Sequence, residues 1–163
     1  MILDVTSLTP AEAAAFFKLG ELDAPQLREI ALAWLDQGFD ARDLAVLASE
    51  PDPIMSDVGP MFERVLRNLG AASPPMEDAR RTAEAIMLRD IIGDQRQTSG
   101  KVWQFLEMFY YAHFSPEFED RYAPMIGLFY SAEEAAGANV STLEQQMREE
   151  ASRLLSTHER ASS

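Results

Sequence analysis

At 163 residues the chain has the length of one ordinary domain and can bury a core without metal or disulfide support. A composition of 47% hydrophobic and 25% charged residues excludes a chain disordered throughout, and the lack of cysteine excludes disulfides, thiolate catalysis, iron–sulfur clusters and cysteine-type zinc sites. The formal net charge of −13 opposes binding to nucleic-acid phosphates and anionic membrane surfaces and favours a basic protein partner.

The charge is uneven: residues 1–60 carry 3 Lys/Arg against 11 Asp/Glu, residues 61–100 carry 6 against 6, and residues 101–163 carry 5 against 10. The first residues, Met1 to Val5, show no basic and apolar leader pattern, and there is no run of about 18 apolar residues. A cytoplasmic location is expected.

Thr9-Pro10-Ala11-Glu12 reads as an N-cap, a proline at N1 and a glutamate at N3, opening a helix through Ala13, Phe16 and Phe17 toward Gly20. Asp23-Ala24-Pro25 opens the next, with Leu27, Ile30, Ala31, Trp34 and Leu35 on one stripe and Gly38 as its left-handed stop. Asp40 is the expected N-cap of a short helix carrying Leu44, Leu47 and Ala48, which the brief connection folds back on its predecessor as a hairpin. After the Pro51-Asp52-Pro53 break, Ser56 is the expected cap of a helix with Val58, Met61, Phe62, Val65, Leu66 and Leu69 on one face and Gly70 at its end.

Ala71 to Pro75 is a proline-bearing connector and a candidate subdomain joint. The helix expected over residues 77–92 turns Ala83, Ile86 and Met87 inward and Arg80, Arg81, Glu84 and Arg89 outward, and the polar stretch Gln95 to Gly100 is expected to be mobile. Residues 101–114 read as a helix with Val102, Phe105, Leu106 and Phe109 on its stripe. Ser115-Pro116-Glu117 restarts a helix that Pro124 kinks or ends, and residues 125–136 continue as helix to Gly137. Ser141 to Glu144 reads as a capping box for a last helix burying Leu143, Met147, Ala151, Leu154 and Leu155, and residues after Thr157 are expected to fray. No stretch alternates with period two. The expected fold is therefore all-α, one domain over residues 1–163, as a compact helical bundle or a short helical-hairpin stack of about six to eight helices.

No catalytic, cofactor or metal site emerges. His158 lies in the tail, and His113, near Glu117, Glu119 and Asp120, has no second histidine to complete a metal site and no Gly-x-Ser-x-Gly elbow to join as a base. Thr98-Ser99-Gly100-Lys101 lacks the residue order of a phosphate loop. Glu133-Glu134 and Glu149-Glu150 are neighbours in sequence, so they diverge on a helix and read as solvated faces. A non-enzymatic binding protein is expected.

Two features go beyond a plain bundle. Ten of the fifteen aromatics lie between Trp103 and Tyr130, more than one helical stripe buries, so Trp103, Tyr110 or Tyr111 needs a second surface: another helix of the core, a partner, a pocket or a homodimer contact. Asp36, Asp40, Asp43, Glu50, Asp52 and Asp57 gather around the short helix and its flanking loops, where they are expected to form an acidic edge that steers a basic partner.

The segment from Trp34 to Ala48, with Pro60-Met61-Phe62-Glu63-Arg64-Val65-Leu66 following, resembles a pattern in small helical bacterial proteins, some of which look like immunity proteins that neutralise a toxin. It covers residues 34–66 and carries over no functional residue. What the resemblance implies is an immunity- or antitoxin-like inhibitor. The charge asymmetry, the surplus aromatics and the lack of a catalytic motif point separately to a basic partner, with Asp36, Asp40, Asp43, Glu50, Asp52, Asp57, Trp103, Tyr110 and Tyr111 as the expected contacts. The alternative is a carrier or sensor of a small apolar ligand, held in an aromatic pocket between helices.

Overall fold

The computed structural model describes residues 4–93, 95–111, 116–135 and 138–161, without the side chains of 116–119, 138 and 158–161. The fold is all-α: eight α-helices, one 3₁₀ turn and one π turn, with no strand among the described residues. The helices are α1 (Pro10–Leu19), α2 (Ala24–Asp36), α3 (Leu44–Ser49), α4 (Met55–Asn68), α5 (Met76–Gly93), α6 (Thr98–Leu106), α7 (Pro116–Glu134) and α8 (Ala138–Ala161). No described helix is long and apolar enough to cross a membrane. The chain groups into two compact units, Asp4–Ala83 and a second that starts at Glu84. The division falls within α5 rather than at the Ala71 to Pro75 connector.

In the first unit both predicted N-termini close as full capping boxes. Thr9 accepts from the Glu12 N–H while Glu12 accepts from Thr9, and Asp23 and Gln26 do the same for α2. α1, α2 and α4 each stop at a glycine with φ of 77°, 86° and 77° at Gly20, Gly38 and Gly70. Beyond each glycine the next N–H reaches back across the last turn, from Glu21 to Phe16 O, Phe39 to Trp34 O and Ala71 to Leu66 O, so the end carbonyls are satisfied three times by one device.

Trp34 and Phe62, both fully buried, form the centre of this unit. The indole stacks on Phe62 at 5.7 Å and 15° and donates its N–H to Leu8 O at 2.8 Å, while Phe17 meets Phe62 edge-on at 5.2 Å. α3 returns antiparallel to α2, and Arg28 near the start of α2 donates to Ala48 O near the end of α3.

Several expected boundaries move. Asp40 does not cap α3, because Leu44 N–H bonds Ala41 O in a preceding turn and the helix starts after Asp43. Ser56 does not cap α4. The helix starts at Met55 with Ile54 before it, and Ser56 Oγ bonds Asp57 instead. Pro124 does not end α7: Pro124 and Asp120, whose carbonyl the missing N–H leaves open, are both exposed, so that oxygen is not forced to stay unpaired in a dry core. The same holds for Pro60 and Ser56 in α4.

In the second unit α6 packs on α7 and α8, and α7 on α8. Val102, Phe105, Leu106 and Phe109 are buried as the stripe requires, with Tyr122, Met125, Met147, Ala151 and Leu154 facing the same core. Three further expectations give way here. Thr98 to Gly100 open α6 instead of forming a mobile stretch, and Thr98 is buried with its hydroxyl accepting from Arg148 at 2.8 Å. Ser141 lies inside α8, which begins at Ala138, and Glu144 accepts from Ser99 at 3.0 Å rather than closing a cap. α8 continues to Ala161, past the point where fraying is expected. His113 and Ser115 lie outside the described residues.

Glu84 is also displaced from its expected place. It is buried, not outward: its Oε1 accepts from Arg121 at 2.6 Å and from the Tyr122 hydroxyl at 2.9 Å, and the Arg121 guanidinium lies 5.6 Å from the Tyr122 ring centre. Lys101 is likewise buried and holds Asp90 at 2.6 Å.

Candidate functional site

The aromatic residues of the second unit divide between core and surface. Phe105, Phe109, Tyr122 and Phe129 are buried, whereas Trp103 is 39%, Tyr111 39% and Tyr130 47% exposed, and Tyr110 is half-buried. The exposed rings touch one another. Trp103 stacks on Phe129 at 5.5 Å and leans on Tyr111 at 5.6 Å, Tyr110 meets Tyr111 edge-on at 4.9 Å, and Tyr130 meets Phe129 at 5.7 Å. The Tyr111 and Tyr130 hydroxyls close the patch with a hydrogen bond of 2.6 Å.

The backbone explains this assembly. Eight residues on a regular α-helix leave two side chains about 80° apart around the axis. Glu107–Tyr111 is a π turn, whose i→i+5 closure narrows the rotation to roughly 80° a residue and brings Tyr111 to within about 10° of Trp103. Met108 and Phe109 stay in the core through the same turn. The irregular turn thus serves both surfaces at once, and π turns are frequent at functional sites.

Beside the patch runs an open groove of about 510 Å³ lined by Ser99, Gly100, Trp103, Phe129, Ala132 and Glu133. One wall is α6, where glycine at position 100 keeps the wall low, and the other is the last turn of α7. Tyr111 has its pKa pushed up to about 12, first by the hydrogen bond to Tyr130 and then by burial, with the charges of Tyr130, Tyr110 and Glu133 adding to it. The Glu133 carboxylate therefore lies within electrostatic reach of the hydroxyl pair.

The nine residues expected to bind a partner fall into separate groups. Trp103, Tyr110 and Tyr111 come together as described. Of the six carboxylates, Asp36, Asp40 and Asp43 lie between the end of α2 and the start of α3, and Glu50, Asp52 and Asp57 lie between the end of α3 and the first turn of α4. Asp43 is already engaged by Arg64 at 2.7 Å. Phe129, Tyr130 and Glu133 complete the site and were not among the expected binding residues, since their approach to Trp103 depends on how α7 packs against α6.

A second, smaller groove of about 300 Å³ in the first unit is lined by Ala14, Phe17, Glu63, Leu66, Arg67 and the Ala71 to Ser73 segment. Its one aromatic, Phe17, is half-buried, and its charged residues are Glu63 and Arg67, one turn apart on α4. Among the described residues no three His, Cys, Asp or Glu side chains converge as metal ligands. No known protein family, curated protein or solved structure matches the chain.

Proposed function

We propose that the chain is a protein-binding module that engages a basic partner through the aromatic patch of its second unit. The observation that carries this reading is the contact set Trp103, Tyr111 and Tyr130: three large amphipathic rings exposed together and fixed against each other by stacking and a hydroxyl hydrogen bond. Tryptophan and tyrosine are the preferred anchors of interfaces, because they offer large area with few rotors to immobilise. Rings already locked in place lose little further freedom on binding.

Charge supports the basic partner. Residues 84–163 hold 7 Lys/Arg against 13 Asp/Glu, and the whole chain is at −13, a field that accelerates encounter with a cationic protein. The carboxylates around α3 contribute to that field. An inhibitor of the immunity or antitoxin kind is the narrower form of this reading, in which the partner is a toxin. The groove's openness favours a protein surface over a carried small molecule, since ligand pockets enclose most of their cargo.

The test is a photo-crosslinking residue placed at the exposed position 134, one turn beyond Tyr130 on α7, and, separately, at position 36, expressed in the native host. A basic protein joined at 134, reconstituted from purified components and lost with Trp103→Ala or Tyr130→Ala, is the expected result. Cross-links only at 36 would move the interface to the first unit, and a bound small molecule displaced by Trp103→Ala would replace the reading with a carrier.

A further inference from the structure

Resting on the reading above, we infer that the groove beside Trp103 takes an extended, proline-rich segment of the partner that carries one arginine. The common modes of peptide recognition make different demands on a surface. Adding a strand requires a sheet edge, and the described residues contain no strand. Seating an amphipathic helix requires apolar anchors along two turns, about 10 Å. The apolar lining here is Trp103 with Phe129 and Ala132, which are one turn apart on α7, about 5 Å. A polyproline-type segment needs less: an aromatic ridge for its rings and donors for its unpaired carbonyls.

Both demands are met. Trp103 and Phe129 stack within the groove, and Tyr111 and Tyr130 continue that aromatic surface outside its lining. Of the two joined hydroxyls one donates to the other, so the second keeps its proton for an outside acceptor, and its neighbour's bond strengthens it as a donor. The indole N–H of Trp103 has no acceptor among the described residues and is a second donor on the same side chain set. A polyproline backbone makes no internal hydrogen bonds and offers its carbonyls to such donors.

The arginine follows from Glu133, which lines the groove together with the Trp103 indole and the Phe129 ring. A guanidinium binds a carboxylate through paired N–H groups and lies flat on aromatic rings, a combination an ammonium does not match. The preference for arginine over lysine, and for either over an acidic residue, is therefore built into the lining.

The experiment uses the full chain and three synthetic twelve-residue peptides: a proline-rich peptide with one arginine, the same peptide with glutamate in its place, and an alanine-rich helical peptide with one arginine. The readout is the indole N–H resonance of Trp103, with that of Trp34 as internal control. The first peptide is expected to shift the Trp103 signal saturably, with a dissociation constant on the order of 10–100 μM, and to leave Trp34 unmoved. The glutamate peptide is expected to bind at least about fivefold more weakly, and Glu133→Gln to remove most of that difference. Tyr130→Phe, which keeps the ring and breaks the hydroxyl pair, is expected to weaken the first peptide about threefold to tenfold with the circular dichroism unchanged.

Equal binding of the helical peptide, or no shift from any peptide at millimolar concentration, overturns the occupant. So does self-association that broadens the Trp103 signal without peptide. If a protein is still cross-linked at position 134 under those outcomes, only the occupant is wrong. If the cross-link is also absent, the interface reading falls with it.

Discussion

Glu84 shows how one carboxylate can hold a helix junction. Its side chain is 10% exposed, and a single oxygen takes both the Arg121 guanidinium and the Tyr122 hydroxyl. Glu84→Ala leaves a partly buried cation and a buried phenol without their acceptor and is expected to destabilise the chain by about 2–4 kcal/mol in chemical denaturation. Arg64→Ala, which removes the 50% exposed partner of Asp43, is expected to change stability by less than about 1 kcal/mol in the same measurement. Tyr111 makes a different prediction. Its folded pKa of about 12 lies above the ordinary 10, so the stabilisation from its bond to Tyr130 is fully present below pH 10 and is lost as pH rises through about 12. Tyrosinate absorbance should show this late titration, and Tyr130→Phe should bring it back toward the ordinary value. None of this was readable from residue type. Glu84 follows two arginines in a polar stretch and reads as solvent-facing, and only the packing of α7 gives it two donors.

At the level of elements, the three glycine stops are the features that local rules place correctly. Gly20, Gly38 and Gly70 each follow an apolar stripe, and each adopts the left-handed conformation that side chains resist. No atom lies within 4 Å of the position a Cβ would take at Gly70, so Gly70→Ala isolates the backbone term and is expected to cost about 1–2 kcal/mol in denaturant midpoint. The capping box of α1 and the Asp23 start of α2 were legible for the same reason, since their bonds lie within four residues, while Gln26 as the second half of the α2 box was not anticipated. The same rules misplace Ser56 and Ser141, because a serine that could cap a helix is also tolerated on the exposed face of its first turns. Prolines 60 and 124 show the corresponding limit, since the cost of an internal proline depends on whether water reaches the freed carbonyl. The π turn has no signature in the sequence at all. Its effect on Tyr111 is a matter of a few tens of degrees of helical phase, which hydrophobic periodicity over so short a segment does not resolve.

For the whole molecule, the all-α architecture follows from helical periodicity repeated from residue 10 to residue 155, and eight helices lie within the expected range. The division of contacts inside α5 was not legible, because a continuous helix gives no composition break where its neighbours change. Net charge makes a prediction at this scale. The association rate with a basic partner is expected to fall about tenfold or more between low and physiological salt, while the dissociation rate, set by the aromatic contact, changes little, as stopped-flow mixing would show. The two tryptophans fall one to each unit: Trp34 is sealed from solvent and Trp103 stands half in it. The molecule therefore carries its own pair of optical reporters, one emitting from a dry site and quenched only when the first unit opens, the other emitting at longer wavelength and darkened or shielded by whatever settles on the second. Melting of one half and occupancy of the other can be followed in a single cuvette without any added label.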